Sequence, residues 1–166
     1  MISERSNARV QYETFSYRHA EEILNAHLAI KREITSALDE VQEAKVGKGG
    51  DALTPRIVTA FLARGWEKEK RVAENQPHEQ RFDLFKDRVA IEIEFSRYEF
   101  LSRDYLRFLS AYNGDKIDVG VLITHAESGL ARVKQRAVAP SLARVKADLT
   151  WLRGTITVPI WVIALK

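Results

Sequence analysis

Cysteine is absent from the 166 residues, which excludes disulfides, thiolate nucleophiles and cysteine-ligated zinc. Long hydrophobic runs are absent as well. The longest, VPIWVIAL at 158–165, has the length of a buried strand and falls far short of the roughly 18 apolar residues of a membrane span. The opening MISERSNARVQYE is polar and charged, unlike a secretory leader. A cytoplasmic protein without a membrane partner is the expectation. His19, His27, His78 and His125 show no spacing that would put two of them on one metal. No repeat, low-complexity tract or linker divides the chain. With 45% apolar and 30% charged residues, residues 1–166 are expected to form one soluble domain with a proper core.

The net charge is only +3, but it is unevenly spread. Residues 1–124 carry 19 Lys and Arg against 21 Asp and Glu, while residues 125–166 carry 7 against 2. Arg132, Lys134, Arg136, Arg144 and Lys146 therefore form either a solvated basic face or a surface that meets phosphates by Coulomb attraction.

Periodicity organises the rest. HAEEILNAHLAIKREITSALDEVQ (19–42) has the three-and-four apolar spacing of one helix or two consecutive ones, and VGKGGDAL breaks it with three glycines. TPRIVTAFLARGW predicts a helix with Thr54 at the N-cap, Pro55 at the first position and Gly65 past the end. Residues 81–86 and 88–96 predict a β-hairpin. Leu101, Tyr105, Phe108 and Tyr112 predict a helix over 98–112, whose apolar face either packs on the sheet or forms a dimer seam. KIDVGVLIT (116–124) and TITVPIWVIAL (155–165) are strands, with the helix SLARVKADLTWLRG (141–154) between them. The expected fold class is α/β, a central mixed β-sheet of four or five strands flanked by helices. Trp66, Trp151 and Trp161 sit in apolar surroundings and are expected in the core.

The stretch RFDLFKDRVAIEIEFSRYEF (81–100) carries the chemistry. Side chains alternate along a strand, so Glu92 and Glu94 share one face while Ile91, Ile93 and Phe95 take the other. If Asp87-Arg88 is the hairpin tip, Asp83 falls opposite Glu92, although Asp-Arg is a poor choice for a type I′ turn. Carboxylates packed this closely repel. Solvent, a basic neighbour or a hard divalent cation held by oxygen ligands could offset that repulsion, and a cation with open positions would leave room for a phosphate.

FDLFKDRVAIEIEFSRYEFL resembles the active-site hairpin of BglII-type restriction endonucleases in the PD-(D/E)xK nuclease superfamily. YRHAEEILN (17–25), KVG (45–47), RGW (64–66), DVGVLIT (118–124) and VPIWVIAL (158–165) resemble further segments of that family in the same order. The resemblance implies a restriction-endonuclease-like core and a homodimer that cuts both strands of double-stranded DNA at a short palindromic site with Mg²⁺, without an organic cofactor. It puts the family's metal-binding aspartate at Asp83 and its second acidic position at Glu92. Glu94 falls where most of the superfamily has lysine, and Glu69 in WEKEK at a further active-site and metal-binding position. Ser96 and Arg97 fall where relatives reach into the major groove. The C-terminal segment with which relatives embrace DNA is expected to be absent.

On that reading Asp83 and Glu92, with Glu69 aiding, would hold Mg²⁺, and Glu94 would orient or deprotonate water. Arg97 could donate two hydrogen bonds to a guanine, or instead contact a phosphate or pair with Glu99 or Asp104. Lys48 in GKGG is either a backbone contact or part of a plain loop. His125 ends a strand where relatives carry a base-reading loop, or is an exposed loop histidine. The competing functions are a structure-selective or repair nuclease on the same fold and a non-catalytic DNA-binding protein.

Overall fold

A computed structural model describes residues 9–41, 53–73 and 80–166. Six strands form one sheet: β1 (Tyr12–Tyr17), β2 (Glu67–Arg71), β3 (Arg81–Lys86), β4 (Val89–Ile93), β5 (Val119–His125) and β6 (Ile160–Leu165). Their order across the sheet is β1-β6-β5-β4-β3-β2. The centre, β4-β5-β6, is parallel, and β1, β3 and β2 add antiparallel neighbours. β5 and β6 read as continuous apolar runs because both of their faces are covered. The expected four or five strands thus become six. β1 and β2 escape the alternation test because YETFSY is only partly buried and EKEKR is exposed throughout. Charge along an exposed edge strand discourages pairing with another sheet.

Among the described residues five α-helices cover the two faces: α1 (Ala20–Ala26), α2 (Leu28–Asp39), α3 (Leu53–Leu62), α4 (Leu101–Asn113) and α5 (Leu142–Trp151). On one face Leu24, Ile34, Leu38 and Phe61 from the first three helices meet Leu84, Val89, Ile91, Val121 and Trp161. On the other, Leu101, Tyr105 and Phe108 of α4 and Val145 and Leu149 of α5 meet Phe82, Ala90, Leu122 and Val162. Even-numbered residues of β4 therefore face α4. Of the one helix or two consecutive ones expected over 19–42, the structure has two, which meet at His27, whose φ of −113° and ψ of 56° interrupt helical geometry. α3 begins at Leu53, so Thr54 lies in its first turn and not at the N-cap.

The apolar stripe of α4 is spent on the sheet through Leu101, Tyr105 and Phe108. Trp66 and Trp161 are core residues as expected. Trp151 is not: at the last position of α5 it is 88% exposed, because Val145 and Leu149 occupy the buried side of that helix. No helix among the described residues is long and apolar enough to cross a membrane.

One close approach sets the seat of α4. A Cβ built on Gly120 of β5 would lie 2.6 Å from Cγ of Phe108, whose ring stacks on Phe82 at 5.9 Å between centroids. Only glycine lets this helix lie so near the sheet. Gly120→Ala is expected to destabilise the protein by about 1–3 kcal/mol through overpacking. A lower urea midpoint with an unchanged slope would register the effect.

Candidate active site

The β3–β4 hairpin turns at Asp87 and Arg88, both at positive φ, 45° and 65°. Two left-handed residues are what a type I′ turn requires, normally met by Asn-Gly. Here the strain is offset by charge. The Arg88 guanidinium donates to both Asp118 oxygens at 3.1 Å and to Asp115 Oδ1 at 2.6 Å, and its carbonyl accepts from Asp118 N at 2.8 Å. The tight turn sets the register Lys86↔Val89, Phe85↔Ala90 and Leu84↔Ile91. Continued by one residue, it brings Asp83 level with Glu92.

The regular ladder stops at that point. Ile93 N, which would otherwise look to β3 for a partner, donates instead to Asp83 Oδ2 at 2.7 Å. On the outer side, β2 pairs with β3 through Lys68↔Leu84 and Lys70↔Phe82, but Glu69 between them sits at φ 54°. Phe82 and Leu84, two apart on β3, consequently reach opposite core layers. β3 is kinked at Asp83. Strained backbone of this kind gathers at functional sites, where surrounding contacts hold it.

Glu92 points from β4 toward α4 and is only 2% exposed. Burial pushes its carboxyl up to about 9, helped by the charges of Asp83 and Asp104 and by a hydrogen bond in which the protonated group donates to Asp83. The Arg107 guanidinium opposes this rise without cancelling it. Its Nη1 donates to Glu92 Oε1 at 3.2 Å, and its Nε donates to Gln80 Oε1 at 2.7 Å. Asp104, one helical turn before Arg107, is equally buried and is pushed up to about 7, first by burial and then by Glu94, while Arg103 and Arg107 pull it down. A third buried acid has thus joined the two strand carboxylates from α4.

Glu94 shares their face but is engaged elsewhere. Its Oε1 accepts from Ser96 N at 2.8 Å, Ser96 Oγ at 2.6 Å and Arg97 N at 3.1 Å. The Glu94 carboxylate therefore organises the turn that leads to Ser96 and Arg97. The Arg97 side chain forks onto Glu99, with both contacts at 3.2 Å, which is the ion pair weighed against groove contact on sequence grounds. Glu69 lies exposed on the edge strand, along a groove of about 380 Å³ that also takes in Lys68, Arg71, Arg81, Phe85 and Lys116. Lys48 and His78 lie outside the described residues. His125 is half-buried at the end of β5 with its ring 4.7 Å from that of Phe95, and so is not an exposed loop residue.

Asp83 and Glu92 are therefore together, Glu94 acts on the same neighbourhood through Asp104, and Glu69 stands apart on the edge. Among the described residues no three carboxylate or imidazole groups are gathered tightly enough to share one metal ion. The Asp83–Glu92 pair nevertheless fits a hard divalent cation, since both donors are oxygens and a cation would replace the proton that burial forces on Glu92. Asp104 and Arg107 were missed in the sequence. A signal existed: Asp104 interrupts the apolar stripe formed by Leu101, Tyr105 and Phe108, where a polar residue faces inward only with a partner.

The family model described as restriction endonuclease BglII/BglIII matches residues 12–165. No curated protein matches the chain in sequence. Among solved structures, the crystal structure of restriction endonuclease BglII complexed with a DNA 16-mer superimposes with a TM-score of 0.66 at 18% identity, over 93% of this chain and 75% of that one. The crystal structure of free BglII superimposes with a TM-score of 0.59 at 21% identity, over 93% and 78%. At these identities the superpositions show a common fold.

The raised carboxyls carry a pH signature. Glu92 and Asp104 bind protons more tightly in the folded chain than in the unfolded one. Their stabilising contribution is complete below the ordinary carboxylate range and is lost as pH rises toward about 7 for Asp104 and about 9 for Glu92. Without divalent cations the melting temperature should fall between about pH 4 and about pH 9. Glu92→Gln should flatten the upper part of that fall, and added Mn²⁺ should shrink it in the wild type. Calorimetric melts across the series are the check.

Proposed function

The chain belongs to the BglII-type restriction endonuclease family and is a type II restriction endonuclease, and on that premise we propose that it hydrolyses both strands of double-stranded DNA at a short palindromic site with Mg²⁺. The products are 5′-phosphate and 3′-hydroxyl ends, and the working unit is a homodimer. The observation that carries the reading is the pairing of half-buried Asp83 with buried Glu92 at the point where β3 and β4 part. A carboxyl whose charge is disfavoured by burial and by the neighbouring Asp83, as at Glu92, suits a site completed by a cation and a phosphate.

Asp83 and Glu92 would hold Mg²⁺. When bound, the ion supplies positive charge to a non-bridging phosphate oxygen and lowers the pKa of water. Asp83 is held by Ile93 N, and Glu92 is oriented by Arg107. Glu94 orients the attacking water and takes its proton. The three donors on its Oε1 hold the carboxylate in place. Glu69, displaced toward the edge by its left-handed backbone, would assist a second ion.

Ser96 and Arg97 read the major groove, and Lys48 contacts the backbone. The Arg97–Glu99 fork supports this role in one respect, because it holds the guanidinium at the surface with Nε and Nη2 already paired to two acceptors, as a guanine edge would pair them. The same hydrogen bonds that pin Glu94 tie this recognition turn to the catalytic strand.

Digestion of phage DNA with Mg²⁺ should give discrete fragments whose sequenced ends share one palindrome. Smearing would indicate a nuclease without site preference, and intact DNA would end the proposal. Glu94→Ala should lower cleavage by roughly 10²–10⁴-fold while leaving DNA binding in Ca²⁺ within a few-fold. Arg97→Ala should weaken discrimination at one base pair by about 1–3 kcal/mol, seen as star fragments or as a flattened binding preference.

A further inference from the structure

Cleavage of a phosphodiester builds negative charge on the phosphate oxygens, which positioned cations stabilise. The third strand position in this chain is Glu94, an anion already committed to three donors. Arg103 reaches only the Asp104 edge of the cluster, its Nε 3.8 Å from Oδ1 and its guanidinium stacked 4.7 Å over the Phe100 ring, and other nearby cations are engaged elsewhere. Lys86 donates to both Glu33 oxygens and to the Arg64 carbonyl, toward the helices of the opposite face. Arg88 is spent on the hairpin turn, and Arg97 on Glu99.

Arg107 differs. It springs from the face of α4 that meets the carboxylates. Its Nη1 is 3.2 Å from Glu92 and 3.6 Å from Asp104, and its side chain is 17% exposed, so it lies at the rim of the cluster and is not sealed within it. The contact to Glu92 is made by one nitrogen, because Nε is turned to Gln80. A guanidinium held this way has further N–H donors to offer, in the planar array that suits a phosphate.

We propose that Arg107 is the cation this site applies to the scissile phosphate, resting on Glu92 in the metal-free protein and turning to the phosphate oxygen when a divalent ion takes over that carboxylate. This rests on the endonuclease reading above and adds a catalytic residue to it. The exchange is one of charges. Without metal, Arg107 Nη1 donates to Glu92 Oε1; once Glu92 is a metal ligand, that oxygen is shared with the ion, its hold on the guanidinium falls, and a phosphate bound against the same carboxylate is within reach of a rotamer change. Arg107 therefore competes with the metal in the free protein and cooperates with it in the DNA complex. A purely structural partner of Glu92 would do the reverse, aiding metal binding by holding the carboxylate in place.

That difference is the test. Wild type, Arg107→Lys and Arg107→Ala are compared in three measurements: Mn²⁺ affinity without DNA, the salt dependence of DNA binding in Ca²⁺, and cleavage in Mg²⁺. Arg107→Ala should bind Mn²⁺ at least as tightly as wild type, lose about one counterion from the salt slope, and cut at least about 100-fold more slowly. Arg107→Lys should recover about a tenth or more of the wild-type rate. Arg107→Ala cleavage within threefold of wild type overturns the proposal. So does weaker Mn²⁺ binding together with an unchanged salt slope, and so does loss of the folding transition in both variants, since each assigns Arg107 to structure. Wild type that binds DNA but cuts none would instead remove the endonuclease reading. In that case the metal and salt measurements still decide whether Arg107 exchanges between Glu92 and phosphate.

Discussion

A carboxyl sealed from water beside two other acids cannot hold its charge unaided, and Glu92 is in that position. A proton, a guanidinium or a metal ion can each relieve it. The first two act within the chain: burial and the charge of Asp83 favour the protonated carboxyl, and Arg107 Nη1 donates to Glu92 Oε1. The family to which the chain belongs implies the third, a divalent cation. On the proposed reading that ion would remove the cost folding imposes on Glu92 and serve the chemistry as well.

The surrounding architecture keeps Glu92 in that predicament. Gly120 lets Phe108 bring α4 close, and Phe108 lies between Asp104 and the end of the helix, so the depth of the helix is also the depth of the acid. The charged hairpin tip sets the register, and the kink at Asp83 ends the ladder where the acids begin. Positive φ at Glu69 on β2 and at Asp87 and Arg88 in the β3–β4 turn puts the strain on either side of β3, while the β4–β5 and β5–β6 pairings stay regular.

The site was only partly legible in the sequence. Glu92 and Glu94 declared a common face by their spacing, and the placement of Asp83 depended on a turn whose Asp-Arg composition argued against it. The turn forms because Asp115 and Asp118, about thirty residues away, clamp Arg88. Asp104 and Arg107 were hidden because helical periodicity reports which residues face inward but not which strand they meet. Nothing in the local sequence says that the α4 stripe lies over β4. Trp151 failed for the opposite reason: its neighbours are apolar, yet the helix turns it away from the sheet they cover.

Alternation, apolar runs and helix punctuation were enough to establish an α/β domain with hydrophobic central strands, because those patterns follow from backbone geometry and burial residue by residue. They were also enough to mark one strand as chemically odd, since two like charges on one face are legible without a partner. The edge strands β1 and β2, the kink at Asp83, the approach of α4 and the meeting of Glu92 with Asp104 and Arg107 were decided only by the tertiary structure. Each depends on a contact between segments far apart in the chain, and a long-range pairing leaves no periodic trace in either partner.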